Sequence, residues 1–252
     1  MKKSIYILAF LFSIIGSAQN TAIFEEANAL YNDGKYAESI DNYNTILNTD
    51  KHSAELYFNL ANAHYKLNNI APSIYFYEKA LQLSPNDGEI KNNLAFARNM
   101  TIDAIDNIPI TGLSKIIYSI TNTMSFDSWA KITVGLVFCF VVLFLLYYFA
   151  YSTINKRLAF ISSLTALCLM FISLAFAFHN YNLAKRDRPA IIFEQESKIK
   201  SEPNSRSEES FRLHEGTKVQ VLDTVNNWSK IKLSDGKTGW VTSKEIKELN
   251  DY

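Results

Sequence analysis

The chain has 252 residues with 25 Lys and Arg against 25 Asp and Glu, a net charge of zero that says little about partners, and no basic patch points to nucleic acid. Its two cysteines, Cys139 and Cys168, both lie in apolar runs, which excludes a disulfide framework or a thiolate metal site in the polar parts. The neutral total hides a division. Residues 19–130 carry 7 Lys and Arg against 13 Asp and Glu, a net of −6, whereas residues 180–252 carry 13 against 12.

The first 18 residues read as a secretory signal peptide. Lys2 and Lys3 precede an apolar run from Ile5 to Ser17, and Gly16-Ser17-Ala18 supplies the small residues of a cleavage site before Gln19. The alternative is an uncleaved anchor; in both cases the segment that follows is expected to be exported.

From Asn20 the sequence repeats with a period of 34 residues, giving units 20–53 and 54–87 and a capping helix at 88–101. Ala27, Ala61 and Ala95 fall in register. So do Tyr31 with Tyr65, Ser39 with Ser73, Ile40 with Ile74, Tyr43 with Tyr77, and Leu47 with Leu81. Asp33-Gly34 and Asn68-Asn69 mark the turn inside each unit. Pro72 suits the first turn of a helix, where its missing donor costs nothing. On its period, its small residues Ala27, Ser39, Ala61, Ser73 and Ala80, and its aromatics Tyr43 and Tyr77, the segment resembles the tetratricopeptide repeat.

That resemblance implies a helical solenoid whose first helices line a peptide-binding groove. The groove residues it implies are Phe24, Asn28, Tyr31, Phe58, Asn59, Asn62 and Tyr65, continuing to Asn92 and Phe96. Asn28 and Asn59 match the two asparagines with which one subgroup clamps a C-terminal carboxylate, but Phe24, Glu89 and Asn93 stand where that subgroup is basic. A neutral or basic, partly apolar peptide therefore fits the resemblance better. Each of these residues has an ordinary packing or solvation role as its alternative.

Residues 102–130 read as a linker followed by an interfacial helix. Leu113, Ile116, Ile117 and Ile120 make an amphipathic stripe, Ser125 is placed to cap the next helix, and Trp129 suits an interfacial belt. Packing of the stripe against the repeats is the competing expectation. Two runs without Asp, Glu, Lys or Arg follow, 132–151 and 158–178. About 20 such residues match a hydrocarbon core of about 30 Å, and only helices satisfy their own backbone there. The short loop between them predicts a transmembrane hairpin, so the segments on either side share one face of a membrane. Lys156 and Arg157 in the loop favour a cytoplasmic loop, while Lys185, Arg186 and Arg188 favour the opposite sense. The signal peptide decides for a bacterial inner-membrane protein with both terminal domains in the periplasm.

Residues 189–248 change to period-two alternation, as in Val219/Val221 and Ile231/Leu233, with turns at Glu215-Gly216 and Asp235-Gly236. Five or six short strands predict a small all-β barrel. The residues Leu213-His214-Glu215-Gly216-Thr217, Trp228 and Gly239-Trp240-Val241 resemble bacterial SH3-like domains. Trp228 and Trp240 either fill its core or line a ligand groove.

No HExxH, phosphate-binding glycine loop, GxSxG or Cys–His nucleophile occurs, and His52, His64, His179 and His214 lie in separate segments. The expectation is a protein without catalytic residues, cofactor or metal. Taken in order, the segments resemble the BatE-type aerotolerance-associated proteins. That resemblance implies a membrane-held scaffold whose partners are envelope proteins, von Willebrand A-type Bat proteins among them, together with membrane lipid. Peptidoglycan contact through the SH3-like domain is the alternative reading.

Overall fold

The computed structural model describes residues 20–105, 109, 111–121 and 123–250; the signal segment lies outside them. The chain divides into two units. One joins residues 1–107 to 188–252, and the other is 108–187.

The repeats form five helices: α1 (residues 20–32), α2 (Tyr36–Leu47), α3 (Ala54–Lys66), α4 (Ile70–Leu83) and α5 (Gly88–Arg98). Local chemistry sets their ends. Ser53 Oγ accepts the Leu56 amide at 3.1 Å, and Asp87 accepts the amides of Glu89 and Ile90. Gly34 and Asn68, one repeat apart, both turn through positive φ, 78° and 60°. The small residues let helices meet: Ala27, Ala61, Ala63, Ala71 and Ala80 are fully buried, and the Ser39 hydroxyl donates to Ala27 O at 2.9 Å.

The barrel is a seven-stranded antiparallel sheet in the order β3-β2-β6-β5-β4-β1-β7. Its strands are β1 (Pro189–Ile192), β2 (Glu196–Lys200), β3 (Glu209–His214), β4 (Lys218–Val225), β5 (Trp228–Lys232), β6 (Thr238–Thr242) and β7 (Ile246–Glu248). One strand, β7, is additional to the sequence expectation; it follows a single 3-10 turn and pairs with β1. Alternation puts Ile199, Val219, Val221, Ile231 and Val241 inside.

Repeats and barrel share a core. Ile191 and Leu249 of the barrel belong to the same buried cluster as Tyr57, Ile74, Tyr77 and Leu94 of the repeats.

The second unit holds α6 (Gly112–Thr121), α7 (Phe126–Phe149) and α8 (Thr153–Arg186). Both α7 and α8 are long and apolar enough to cross a membrane. Helix α7 starts before its charge-free run and stops two residues short of that run's end, whereas α8 overruns its own at both ends. Ser125 caps α7 through the Ser128 amide, and Lys156 and Arg157 fall inside α8, so only residues 150–152 lie between the two helices. Absence of charge marks the part suited to hydrocarbon, whereas backbone helix continues into polar flanks. Buried Ser163, Ala166, Ser173 and Ala177 give α8 a small-residue face that admits α7 closely. Thr133 donates to Ser173 Oγ at 3.0 Å, and Ser173 donates to Trp129 O at 2.9 Å. Trp129 Nε1 and Asn180 Nδ2 both donate to Thr121 O, closing the C-terminal end of α6. The apolar residues Ile116, Ile117 and Ile120 of α6 are exposed.

Candidate functional site

The groove positions come from α1, α2 and α3. Asn28, Tyr31, Asn32, Tyr43, Asn59 and Asn62 line a cleft of about 280 Å³. A repeated relay underlies it. The Tyr43 hydroxyl and Asn59 Nδ2 both donate to Asn28 Oδ1. One period later, the Tyr77 hydroxyl and Asn93 Nδ2 both donate to Asn62 Oδ1. Burial raises the pKa of both tyrosines, so they remain neutral donors. Each relay leaves the asparagine amide NH₂ directed elsewhere while fixing its carbonyl, so the side chain is oriented before any ligand arrives.

Not all of the expected residues meet in this cleft. Phe24 lines a different depression, with His52, Glu55 and Leu56, and its ring contacts Tyr43 at 5.8 Å. Phe58 likewise packs on Tyr77, and both phenylalanines are half-buried. Tyr65 is half-buried against the repeat core, while Asn92 and Phe96 are exposed on α5. Asn32 and Tyr43 were absent from the sequence expectation. The register of Tyr43 with Tyr77 flags a packing aromatic, and nothing in it signals that its hydroxyl reaches an asparagine of α1.

Trp228 and Trp240 are both half-buried, and neither belongs to the barrel core. Their strand neighbours Ser229, Gly239 and Val241 point inward, so both indoles face out. One cross-strand row reads Glu209, Lys200, Trp240, Lys230, Asp223, with Lys230 Nζ 5.9 Å from the Trp240 ring. The buried cluster of the barrel is aliphatic, with Phe211 packed against it.

The junction of barrel and repeats was not legible in advance. The turn at Gly216 is a knuckle against α4. A Cβ there would lie 2.9 Å from Ile74 Cδ1 and Thr101 Cγ2, and φ is +84°. Asp103 accepts the His214 amide at 2.7 Å, His214 Nδ1 at 2.8 Å and the Thr217 hydroxyl at 2.6 Å. Burial alone would raise the Asp103 carboxyl; the bonds from Thr217 and His214 outweigh it and hold it below the usual carboxylate range. Buried Glu78 of α4 takes Arg98 Nη2 on one oxygen and Lys218 Nζ on the other. Lys247 Nζ sits 4.5 Å from the Tyr75 ring centroid, with Phe76 and Phe193 each at 5.8 Å. Beside that cage, His64 stacks on Phe76, and burial together with the charge of Lys247 lowers its pKa from 6.5 to about 4.

Among the described residues, no group of three or more His, Cys, Asp or Glu is placed to hold a metal ion.

Comparison with known families finds the tetratricopeptide repeat over residues 54–87, the TPR repeat over 27–68 and the bacterial SH3 domain over 197–247. No curated protein matches the chain. The class is therefore defined. Tetratricopeptide repeats, two helices of membrane-crossing length and a bacterial SH3-like sheet make up one chain, and both matched families are modules of interaction rather than of catalysis.

Proposed function

We propose that the protein is a membrane-anchored adaptor of the bacterial cell envelope. In this reading α7 and α8 span the inner membrane, with repeats and barrel on the periplasmic side. The cleft around Asn28, Asn59 and Asn62 receives an extended peptide segment of an envelope protein. The observation that carries the reading is the pre-oriented asparagine pair, repeated at one period and left uncovered by the barrel, which packs on α4. Side-chain amides held in this way pair with a peptide backbone at little ordering cost. The order of segments further supports a BatE-type scaffold within a Bat envelope complex serving aerotolerance or stress, with von Willebrand A-type proteins as partners.

The alternative reading is cell-wall binding through the SH3-like domain. The outward Trp228 and Trp240 favour it, because these half-buried indoles, that of Trp240 beside Lys200 and Lys230, offer a surface for peptide-linked glycan.

Photocrosslinking in native membranes separates these readings. A photoreactive residue at exposed Asn32, which lines the cleft, is expected to capture one envelope protein. The same residue at exposed Glu38 is not, and Tyr31→Ala should abolish the Asn32 product. Equal capture at both positions would sink the adaptor reading. Loss of peptidoglycan sedimentation on Trp240→Ala, with the Asn32 product unchanged, would favour the second.

A further inference from the structure

We propose that the cleft between the end of the repeat stack and the barrel is a binding site for a small anion, a carboxylate or phosphate on a compact organic frame. The cavity is about 610 Å³, in the range of ligand sites, and exists only where the two modules meet. Its wall carries three cations, Arg98, Lys218 and Lys232, beside apolar Ile105, Val219 and Leu233.

The charges are unbalanced in favour of an anion. Arg98 and Lys218 share the single carboxylate of Glu78, which lies behind the wall. Either cation alone would neutralise it, so one positive charge is left over. Arg98 has five N–H donors and Lys218 three, and each places one on Glu78. Both side chains remain about half exposed, at 50% and 43%. Lys232 is exposed and makes no ion pair among the described residues, so the ion network that joins the modules gives it no role. The one acid in the lining, Asp103, accepts three hydrogen bonds and keeps its negative charge, so Arg98, Lys218 and Lys232 against Glu78 and Asp103 leave a net of +1 at the cleft. Spare charged donors around an open cleft are what a carboxylate or phosphate recognises.

The test uses the full-length chain in detergent and ligand-observed NMR titration with four probes: inorganic phosphate, glycerol 3-phosphate, N-acetylglycine and the neutral N-acetylglycinamide. At least one anion is expected to bind at millimolar concentration, and the amide is not. Preference for the phosphates identifies a phosphorylated ligand; preference for N-acetylglycine identifies a carboxylate. Lys232→Ala should weaken binding about tenfold, the cost of one charge-assisted hydrogen bond. Lys198→Ala, on another strand of the barrel, should leave it unchanged. Circular dichroism checks that both variants fold, which is expected because both lysines are exposed. Binding of the amide equal to that of the acid, wild-type affinity in Lys232→Ala, an equal loss in Lys198→Ala, or no anion bound would each overturn the proposal.

Discussion

Replacing Gly216 by alanine tests whether barrel and repeats fold as one body. Two costs add. The first is backbone: at φ +84° a Cβ crowds the carbonyl, for about 1 kcal/mol. The second is packing. The new methyl would sit 2.9 Å from Ile74 Cδ1 and Thr101 Cγ2 and 3.0 Å from Ile70 Cγ2, three side-chain methyls that must give at once. Overpacking of this kind costs about 1–3 kcal/mol. The expected destabilisation is therefore about 2–4 kcal/mol. In a unit of this size that lowers the unfolding midpoint by roughly 5–15 °C. Gly34→Ala is the matched control, because Gly34 has φ +78° and nothing within 4 Å, so it carries the backbone cost alone. Thermal unfolding of full-length protein in detergent, followed by far-ultraviolet circular dichroism, reads both variants. Equal losses in Gly216→Ala and Gly34→Ala would refute the argument, since the barrel turn would then not be seated on α4.

Three further outcomes follow from buried or half-buried polar groups. His64 is held neutral, so above about pH 6.5 folded and unfolded chains carry the same proton count at this site and the full stability is present. As pH falls from 6.5 towards 4 the unfolded chain protonates first, and stability should drop by up to about 3 kcal/mol. Urea midpoints across that window should flatten in His64→Phe. Asp103 acts lower: its carboxyl is depressed, so its contribution persists through that window and is lost only as pH falls below about 4. In the helix pair, Ser173→Leu forces three further carbons in place of a hydroxyl into a 3% exposed site facing Thr133 and Trp129. It should cost about 1–3 kcal/mol in SDS titrations, whereas Thr133→Val, losing only hydrogen bonds between apolar helices, should cost about 1 kcal/mol or less.

What the sequence made legible tracks the range of the interactions. The repeats show because each helix is specified by neighbours within one period, and Gly34 and Asn68 punctuate the same turn twice. Six strands show because alternation is local; β7 does not, being three residues whose partner strand lies near the far end of the barrel sequence. The groove residues could be placed on a face from the tetratricopeptide pattern, yet the relay onto Asn28 needs α2 and α3, which carry Tyr43 and Asn59, both to be set beside α1. The shared core was wholly hidden. Ile191, Gly216 and Leu249 lie beyond two apolar helices from Ile74 and Tyr75, and no local pattern asks for such a partner. Lys247 reads as one more surface charge until Tyr75, Phe76 and Phe193 surround it.

That hidden core changes how tethering is to be understood. Two modules on flexible arms raise each other's effective concentration, but they leave the spacing of their ligands free. Here both chain segments that lead to the apolar helices are tied to the barrel. On the outgoing side Asp103 is held by His214 and Thr217, and Ile105 packs on the barrel core. On the returning side Arg188 makes two bonds to Glu248, its carbonyl accepts the Val221 amide, and Pro189 accepts the Leu249 amide. The cleft of the repeats and the outward indoles of the barrel thus sit on one body, with their separation fixed by α4 rather than by a linker. A partner long enough to touch both surfaces gains the second contact without ordering a connection first, whereas one of the wrong span gains nothing. In the proposed adaptor reading, selection by span would be a property that neither module has alone, and it would depend on the contacts that Gly216, Glu78 and Lys247 make across the junction.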